Sequence, residues 1–183
     1  RKVSLLARGG VGEACARFLA KDRGIEVASY HSDTLRPLLR RLFPKAKAIA
    51  DVSGRAYAAD CRRRGVDCLL SLHCAVIIPA EVLDAAPHAF NLHPGLLPHG
   101  RGYWPTYWAV AEGTPGGCTL HRMVPRVDRG AIIGRIRVPV RPTDTGETFT
   151  HRVNDAEIAL FKKLWPRLKR GDYAESRAKV SGT

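Results

Sequence analysis

The 183-residue sequence has no apolar run close to the roughly 18 to 20 residues that are needed to cross a bilayer. It also lacks a signal peptide, because the first apolar run, Lys2–Ala7, has only strand length and is followed by a glycine turn. Internal repeats, low-complexity stretches and linkers are absent too. We therefore predict one domain over residues 1–183. The last residues, Val180–Thr183, resemble the start of a loop and predict a longer native chain.

Cysteine is sparse and irregularly placed, with five residues and no CxxC pair. This pattern does not favour a zinc site and predicts no metal centre, since structural zinc ligands come in closely spaced pairs. An odd number of unpaired thiols indicates a reducing compartment, so we predict a cytoplasmic protein. We expect the thiols to pack as small buried or half-buried hydrophobic groups. The five residues are Cys15, Cys61, Cys68, Cys74 and Cys118.

Acidic residues are the other scarce class, with 17 Asp and Glu against 30 Lys and Arg, which gives a formal net charge of +13. A surplus of positive charge favours anionic partners such as phosphates, polyglutamylated cofactors or nucleic acid. The arginine clusters are scattered and are typical of solvated helix faces, and no aromatic-interleaved RNA-binding motif accompanies them. Specific nucleic-acid binding is therefore not expected, although a basic nucleic-acid-binding domain remains the alternative from a different functional class.

The N-terminal pattern predicts an α/β fold. Val3–Ala7 is a short apolar strand, a glycine turn follows, Glu13–Lys21 is amphipathic, and Ile25–Tyr30 is a second strand. This β–turn–α–β order is typical of a mostly parallel sheet flanked by helices. The turn holds Gly9, Gly10 and Gly12, but Cys15 occupies the third glycine position of a dinucleotide motif. The turn is therefore either a plain tight turn or a loop that holds a phosphate or the edge of a substrate.

Further helices and strands of ordinary length are predicted along the rest of the chain. We predict helices over 35–43, 55–64, 107–112 and 147–169, a short helix that ends near 86, and strands over 67–72, 90–93, 117–123 and 131–140.

The residues best suited to catalysis follow the strand at 90–93. Asn91 and His93 are two residues apart in a strand, so their side chains point to the same face, and Pro94-Gly95 ends that strand. Open α/β sheets bind their ligands at such strand ends. Asp128 lies in a loop after another apolar strand, and a carboxylate beside an imidazole stabilises its charged form. Amide, imidazole and carboxylate together suit acyl transfer. Alternatively, His93 merely ends a strand and Asp128 is a turn residue.

Several motifs together resemble the folate-dependent formyltransferase family. They are Asn91-Leu92-His93-Pro94, Leu96-Leu97-Pro98 followed by Gly102, Gly117–His121, and Val127-Asp128-Arg129-Gly130-Ala131-Ile132-Ile133. The resemblance extends from about Asp67 to Gly171 and is weaker before that. It implies a Rossmann-like formyltransferase domain, 10-formyltetrahydrofolate as cosubstrate, and Asn91, His93 and Asp128 as catalytic residues. It also implies that the folate is bound, largely through main-chain atoms, by Leu72, His73, Cys74, Ala75, Val76, Ile77, Val127 and Asp128.

The departures from the family pattern bear on the acceptor. Gly95 stands where many relatives carry Ser, and the Gly9–Gly12 turn lacks the Ser-Asn of glycinamide ribonucleotide formyltransferases. His121 matches the glycinamide ribonucleotide and amino-sugar branches better than the methionyl-tRNA branch. The aromatic stretch Tyr103–Trp108 resembles amino-sugar formyltransferases and the formylation domains of peptide synthetases. Its aromatic side chains suit stacking on a base, sugar or pantetheine arm, unless Trp104 and Trp108 belong to the core.

These features predict formyl transfer to the amine of an anionic small molecule, foremost a nucleotide-linked amino sugar. The alternatives are glycinamide ribonucleotide, methionyl-tRNA, a carrier-bound aminoacyl group, or water as in a formyltetrahydrofolate deformylase. The sequence leaves the oligomeric state open, including a homo-oligomer. The residues predicted to bind the acceptor are Gly9, Gly10, Arg101, Tyr103 and Trp104.

Overall fold

The computed structural model describes residues 1–174, and the predicted loop at Val180–Thr183 lies outside them. The chain groups into two compact units, Arg1–Asn91 and Leu92–Thr183. Strands and helices alternate along most of the sequence, and the strands form one seven-stranded sheet. The predicted fold class, α/β with a mostly parallel sheet flanked by helices, is confirmed.

The first unit contains parallel strands in the order β3-β2-β1-β4. Parallel neighbours require crossover connections, which helices supply here. The strands are β1 (Lys2–Ala7), β2 (Glu26–His31), β3 (Lys47–Ala48) and β4 (Cys68–Leu72); the helices are α1 (Gly9–Leu19), α2 (Arg36–Leu42), α3 (Arg55–Arg64) and α4 (Ala80–Leu83). A further strand, β5 (His88–His93), runs from the end of this unit into the next.

The predicted start of the first helix was wrong by four residues. The glycines belong to α1 itself, which begins at Gly9 and not at Glu13. Gly12 has a packing role in this helix, since a Cβ there would lie 3.1 Å from the Ala7 backbone. The glycine therefore permits close approach of helix and strand. Gly9 has a φ of +59°, a conformation that glycine adopts without steric cost.

The second unit is built on an antiparallel hairpin and a long helix. Its elements are α5 (Pro105–Glu112), β6 (Gly117–Arg122), β7 (Ile132–Arg137) and α6 (Gly146–Arg170). Helix α6 begins behind a capping box, in which the side chain of Thr145 accepts from the Thr148 N–H, and it ends at Gly171 in the left-handed region. The prediction of a helix over 147–169 is confirmed to within a residue at each end. Leu164 of this helix packs over Gly134 of β7.

Four cysteines are buried, Cys74 is half-buried, and all five are free thiols, as predicted. Within residues 1–174, no helix combines the length and the apolar character that crossing a membrane requires.

Candidate active site

The candidate site is centred on the end of β5. His93 is the last residue of this strand and is buried, with 5% of its surface exposed. Asn91 is half-buried and lies two residues earlier in the same strand, a spacing at which side chains share a face.

The imidazole of His93 is held by the segment that follows the strand. Its Nε2 lies 2.7 Å from the carbonyl oxygen of Gly100. A carbonyl can only accept, so Nε2 carries the hydrogen of this bond. Gly95 lies next to this hydrogen bond, and a Cβ on Gly95 would overlap both the His93 ring and the Gly100 carbonyl. The absence of a side chain at position 95 therefore makes room for the observed position of the ring.

Asp128 faces the same imidazole, as the sequence predicted. Its carboxylate is buried, and Oδ2 lies 3.6 Å from Nε2 of His93. Asp128 has a φ of +52°, which few residues other than glycine adopt and which Asp tolerates better than most. Two contacts hold it there: the Gly102 N–H donates to Oδ2 at 2.8 Å, and Arg101 Nε donates to the Asp128 carbonyl oxygen at 3.2 Å.

The close approach that follows Asp128 depends on Gly130. A Cβ at this position would overlap the carbonyl of Arg122, a backbone atom that cannot move aside cheaply. Main-chain pairing continues beside it, since the Arg122 N–H donates to the Ala131 carbonyl oxygen at 2.9 Å. Gly130 thus allows the loop that carries Asp128 to lie against the end of β6.

A second histidine, His121, reaches Asp128 from β6, and sequence reasoning did not place it in the site. Its Nε2 lies 3.4 Å from Oδ1 of Asp128, and its Nδ1 donates to the Arg122 carbonyl oxygen at 2.7 Å. The signal in the sequence is the alternation of β6, in which Gly117, Thr119 and His121 share one face.

The pKa of Asp128 lies below its ordinary value of 3.8. Burial is the largest single influence and raises the pKa of Asp128. Four others lower it and together outweigh burial: the hydrogen bond with His121, the charge of His93, the Gly102 N–H and the charge of His121. Asp128 is therefore ionised at neutral pH. A buried carboxylate beside two imidazoles fixes the orientation of both rings, which suits the stabilisation of a developing oxyanion.

The lowered pKa predicts an acid-sensitive contribution to stability. Because the folded pKa is depressed, the contribution is fully present above 3.8 and is lost as the pH falls through the folded pKa. We expect the difference in free energy of unfolding between wild type and Asp128→Asn to be constant near neutral pH and to shrink below 3.8. Denaturant titrations over this pH range measure it. Asp155→Asn removes an exposed carboxylate from α6 and is the control; the same pH dependence in both variants would contradict the prediction.

Two residues of the β6–β7 hairpin form hydrogen bonds to the segment between His93 and α5, which we call the clasped segment. The buried hydroxyl of Thr119 donates to the Gly95 carbonyl oxygen at 2.7 Å and accepts from the Leu97 N–H at 3.0 Å. Arg135 donates from Nη1 to the Leu97 carbonyl oxygen at 2.8 Å. These bonds fix the backbone that supplies Gly100 to His93 and Gly102 to Asp128.

Most of the residues predicted to bind the folate lie in the first unit, in the segment that begins at the end of β4. Leu72 is the last residue of that strand, and its carbonyl oxygen accepts from the Arg8 N–H at 3.2 Å. His73 has a φ of +60°, and Ile77 is 59% exposed. The stretch from Cys74 to Ile78 is a loop, so its main-chain groups do not belong to a helix or a strand.

Of the residues predicted to contact the acceptor, Arg101 lies against Asp128, whereas Gly9 and Gly10 lie in the first turn of α1. The Gly9 N–H donates to Thr34 Oγ1 at 3.2 Å. Tyr103 and Trp104 lie on the surface, with exposed fractions of 62% and 75%, and Trp108 is also exposed. The alternative that Trp104 and Trp108 belong to the core is therefore wrong. Trp104 has a φ of +59° and precedes α5.

Solved structures with the same fold include several formyltransferases. A sugar N-formyltransferase from Shewanella sp FDAARGOS_354 is 24% identical, with a TM-score of 0.82 over 100% of this chain and 75% of that one. Glycinamide ribonucleotide transformylase 1 from Symbiobacterium toebii is 25% identical, with a TM-score of 0.79 over 93% and 88% of the two chains. Formyltransferase PseJ from Anoxybacillus kamchatkensis, in complex with UDP-4,6-dideoxy-4-formamido-L-AltNAc and tetrahydrofolate, is 22% identical, with a TM-score of 0.72 over 100% and 84%.

The family model described as formyl transferase matches residues 31–164, which is well over half of the chain and includes Asn91, His93, His121 and Asp128. The chain belongs to the formyl transferase family and is a transferase, in a family whose formyl donor is formyltetrahydrofolate.

Proposed function

We propose that this enzyme transfers the formyl group of 10-formyltetrahydrofolate to the amine of a nucleotide-linked amino sugar, with Asn91, His93 and Asp128 at the reacting centre. The observation that carries the proposal is the buried pair of His93 and an ionised Asp128, 3.6 Å apart at the end of β5. This pair offers a hydrogen-bond donor and a proton acceptor, which formyl transfer between two nitrogens requires.

The residues have separate roles in this mechanism. The acceptor nitrogen forms a bond to the formyl carbon, and the carbonyl oxygen becomes an oxyanion that the Asn91 amide and protonated His93 stabilise. Collapse of this intermediate breaks the bond between the carbon and N10 of the folate. One proton leaves the acceptor nitrogen and one arrives at N10, and Asp128 with His93 relays it. No covalent enzyme intermediate is needed.

We further propose that the folate is held by the main chain of residues 72–77 and by Val127 and Asp128. Left-handed backbone at His73 and Asp128, and exposed apolar side chains at Ile77 and Val127, support a role of these segments in binding a flat heterocycle. A structure with a folate analogue tests each segment by its main-chain hydrogen bonds to the pterin. A pterin bound instead at Gly9 and Gly10 would overturn this assignment.

The acceptor class is supported by charge and by exposed aromatic rings. The net charge of +13 favours a phosphate-bearing substrate, and Tyr103 and Trp104 offer faces on which a base or sugar can stack. One of the structural neighbours is a sugar N-formyltransferase by name, and another is a formyltransferase bound to a UDP-linked sugar. Another is a glycinamide ribonucleotide transformylase, and this acceptor is the second candidate.

A panel of acceptors separates these candidates. We expect turnover of 10-formyltetrahydrofolate with an amino-sugar nucleotide and none with glycinamide ribonucleotide, methionyl-tRNA, a carrier-bound aminoacyl group or water. Formylation of glycinamide ribonucleotide or methionyl-tRNA without any turnover of an amino-sugar nucleotide would refute the acceptor assignment. A basic nucleic-acid-binding domain would show neither folate binding nor turnover, and would bind RNA with a steep salt dependence.

Replacing Trp104 with alanine is expected to raise the Michaelis constant for the acceptor about fivefold to tenfold, because a stacking face is lost. Folate affinity should stay almost unchanged. Trp104→Phe keeps an aromatic face and the same backbone conformation, so it is the matched control and should lose less. Steady-state kinetics with both substrates varied measure the effect. An unchanged Michaelis constant for the acceptor in Trp104→Ala would show that Trp104 does not contribute to acceptor binding.

A further inference from the structure

A cleft of about 430 Å³ lies in the second unit beside the clasped segment. It is lined by Leu96, His99, Pro115, Arg135 and Arg137, so it contains two guanidinium groups, one imidazole and no acidic side chain. Within residues 1–174, neither Arg137 nor His99 has an ion-pair partner, and the one hydrogen bond of Arg135 goes to the Leu97 carbonyl. The positive charges of the cleft are therefore not neutralised by the described part of the chain.

The register of the hairpin places both arginines on one face. Arg135 pairs with Thr119 and Arg137 pairs with Gly117, and residues two apart on a strand share a face. This face also carries the Thr119 hydroxyl that clasps the segment after His93. Gly134, on the opposite face, packs against Leu164 of α6. The arginines therefore lie on the same side of the hairpin as the clasped segment.

The cleft lies within reach of the reacting centre. Arg135 and Arg137 are separated along the strand by roughly 7 Å, and Gly117, opposite Arg137, is roughly 13 Å along β6 from His121. His121 contacts Asp128. A substrate whose anionic group lies several bonds away from its amine spans this distance.

We propose that this cleft is an oxyanion subsite that holds the diphosphate of the acceptor. The inference rests on the proposed function. Two guanidinium groups on one strand face can each donate to a different phosphate, and Arg135 is already oriented by its bond to the Leu97 carbonyl. His99 adds a third donor at the side of the cleft. The carboxylates of a polyglutamylated folate share this chemistry, and the experiment separates the two sources.

Arg137→Gln is the informative variant, because Arg137 is exposed and holds no part of the clasp. We expect it to weaken the binding of inorganic pyrophosphate to the whole chain about tenfold, the size of one lost charge-assisted hydrogen bond. Lys163→Gln removes the same charge from the exposed side of α6 and should change the affinity less than about twofold. Isothermal titration at constant ionic strength measures both. Equal weakening in both variants would show attraction by net charge alone and would overturn the proposal.

Two further arms separate the anion source and the underlying function. Arg137-dependent binding of tri-γ-glutamate with no Arg137-dependent binding of pyrophosphate would overturn the assignment to a diphosphate. In formyl transfer to an amino-sugar nucleotide, Arg137→Gln should raise the Michaelis constant for the acceptor about tenfold and leave kcat unchanged. Arg137-dependent pyrophosphate binding in a chain that formylates no amino sugar would refute the proposed function and keep the subsite. If the chain formylates an amino sugar but Arg137→Gln binds pyrophosphate as tightly as wild type, the proposed function stands and the subsite is refuted.

Discussion

Replacing His93 with alanine is expected to lower the rate of formyl transfer about 100-fold or more, the size typical of losing one oxyanion donor. The variant removes the one imidazole that both lies at the end of β5 and faces the ionised Asp128. Asn91→Ala is expected to have an effect of the same size, because its amide lies on the same strand face. Folate affinity should change little in either variant, since the folate is assigned to other residues.

The measurement is kcat and kcat/KM with a turned-over acceptor, together with the free energy of unfolding of each variant. His151→Ala, which removes a histidine with a 72% exposed side chain from α6, is the control and should behave as wild type. Near-normal turnover in folded His93→Ala or Asn91→Ala would show that the residue has no catalytic role.

Adding a single methyl group at Gly95 is expected to cost about as much activity as removing the imidazole of His93. The Cβ of Gly95→Ala would overlap the His93 ring and the Gly100 carbonyl, so the ring has to leave its position. A displacement of about an ångström at a catalytic group can cost roughly 100-fold in rate. Gly146→Ala is the matched control, because a Cβ there meets no atom within 4 Å.

A double-mutant cycle tells a positioning role of Gly95 from a general loss of stability. If the methyl group added at position 95 acts through the imidazole, Gly95→Ala should reduce the rate much less in the His93→Ala background than in wild type. Full additivity of the two losses would show that Gly95 does not act by positioning His93. Gly95→Ala with wild-type turnover would show that the ring position seen here is not the one that catalysis uses.

The proximity of His93 and Asp128 could be predicted from the sequence, whereas the contacts that hold the two side chains could not. Asn91, His93 and Asp128 stand out because strand alternation and motif spacing are local properties of the chain. The contacts of His121 and Arg135 depend instead on the pairing of β6 with β7 and on the path of the segment after His93. A polar residue on a predicted strand gives no sign of which loop it will clasp, so these roles could not be inferred.

The fold was predictable wherever hydrophobic periodicity was strong. Helix α6 and the strands of the first unit followed it closely, whereas the two-residue β3 was missed because it is too short to show alternation. The start of α1 was misplaced because glycine is a poor helix former, and its packing against β1 overrides that preference. The sequence could not predict that Trp104 lies on the surface, because a large aromatic residue before a helix is as common in a protein core as on a binding surface.

Within residues 1–174, three residues other than glycine, His73, Trp104 and Asp128, occupy the left-handed backbone region. Each such conformation costs on the order of 1 kcal/mol or more, and glycine would relieve most of it. Selection for heat resistance alone would therefore favour glycine at His73 and Trp104, whereas at Asp128 the ionised carboxylate itself contributes stability. All three belong to the residues proposed here for chemistry or recognition, so we expect thermostabilising substitutions at these positions to lower turnover or substrate affinity.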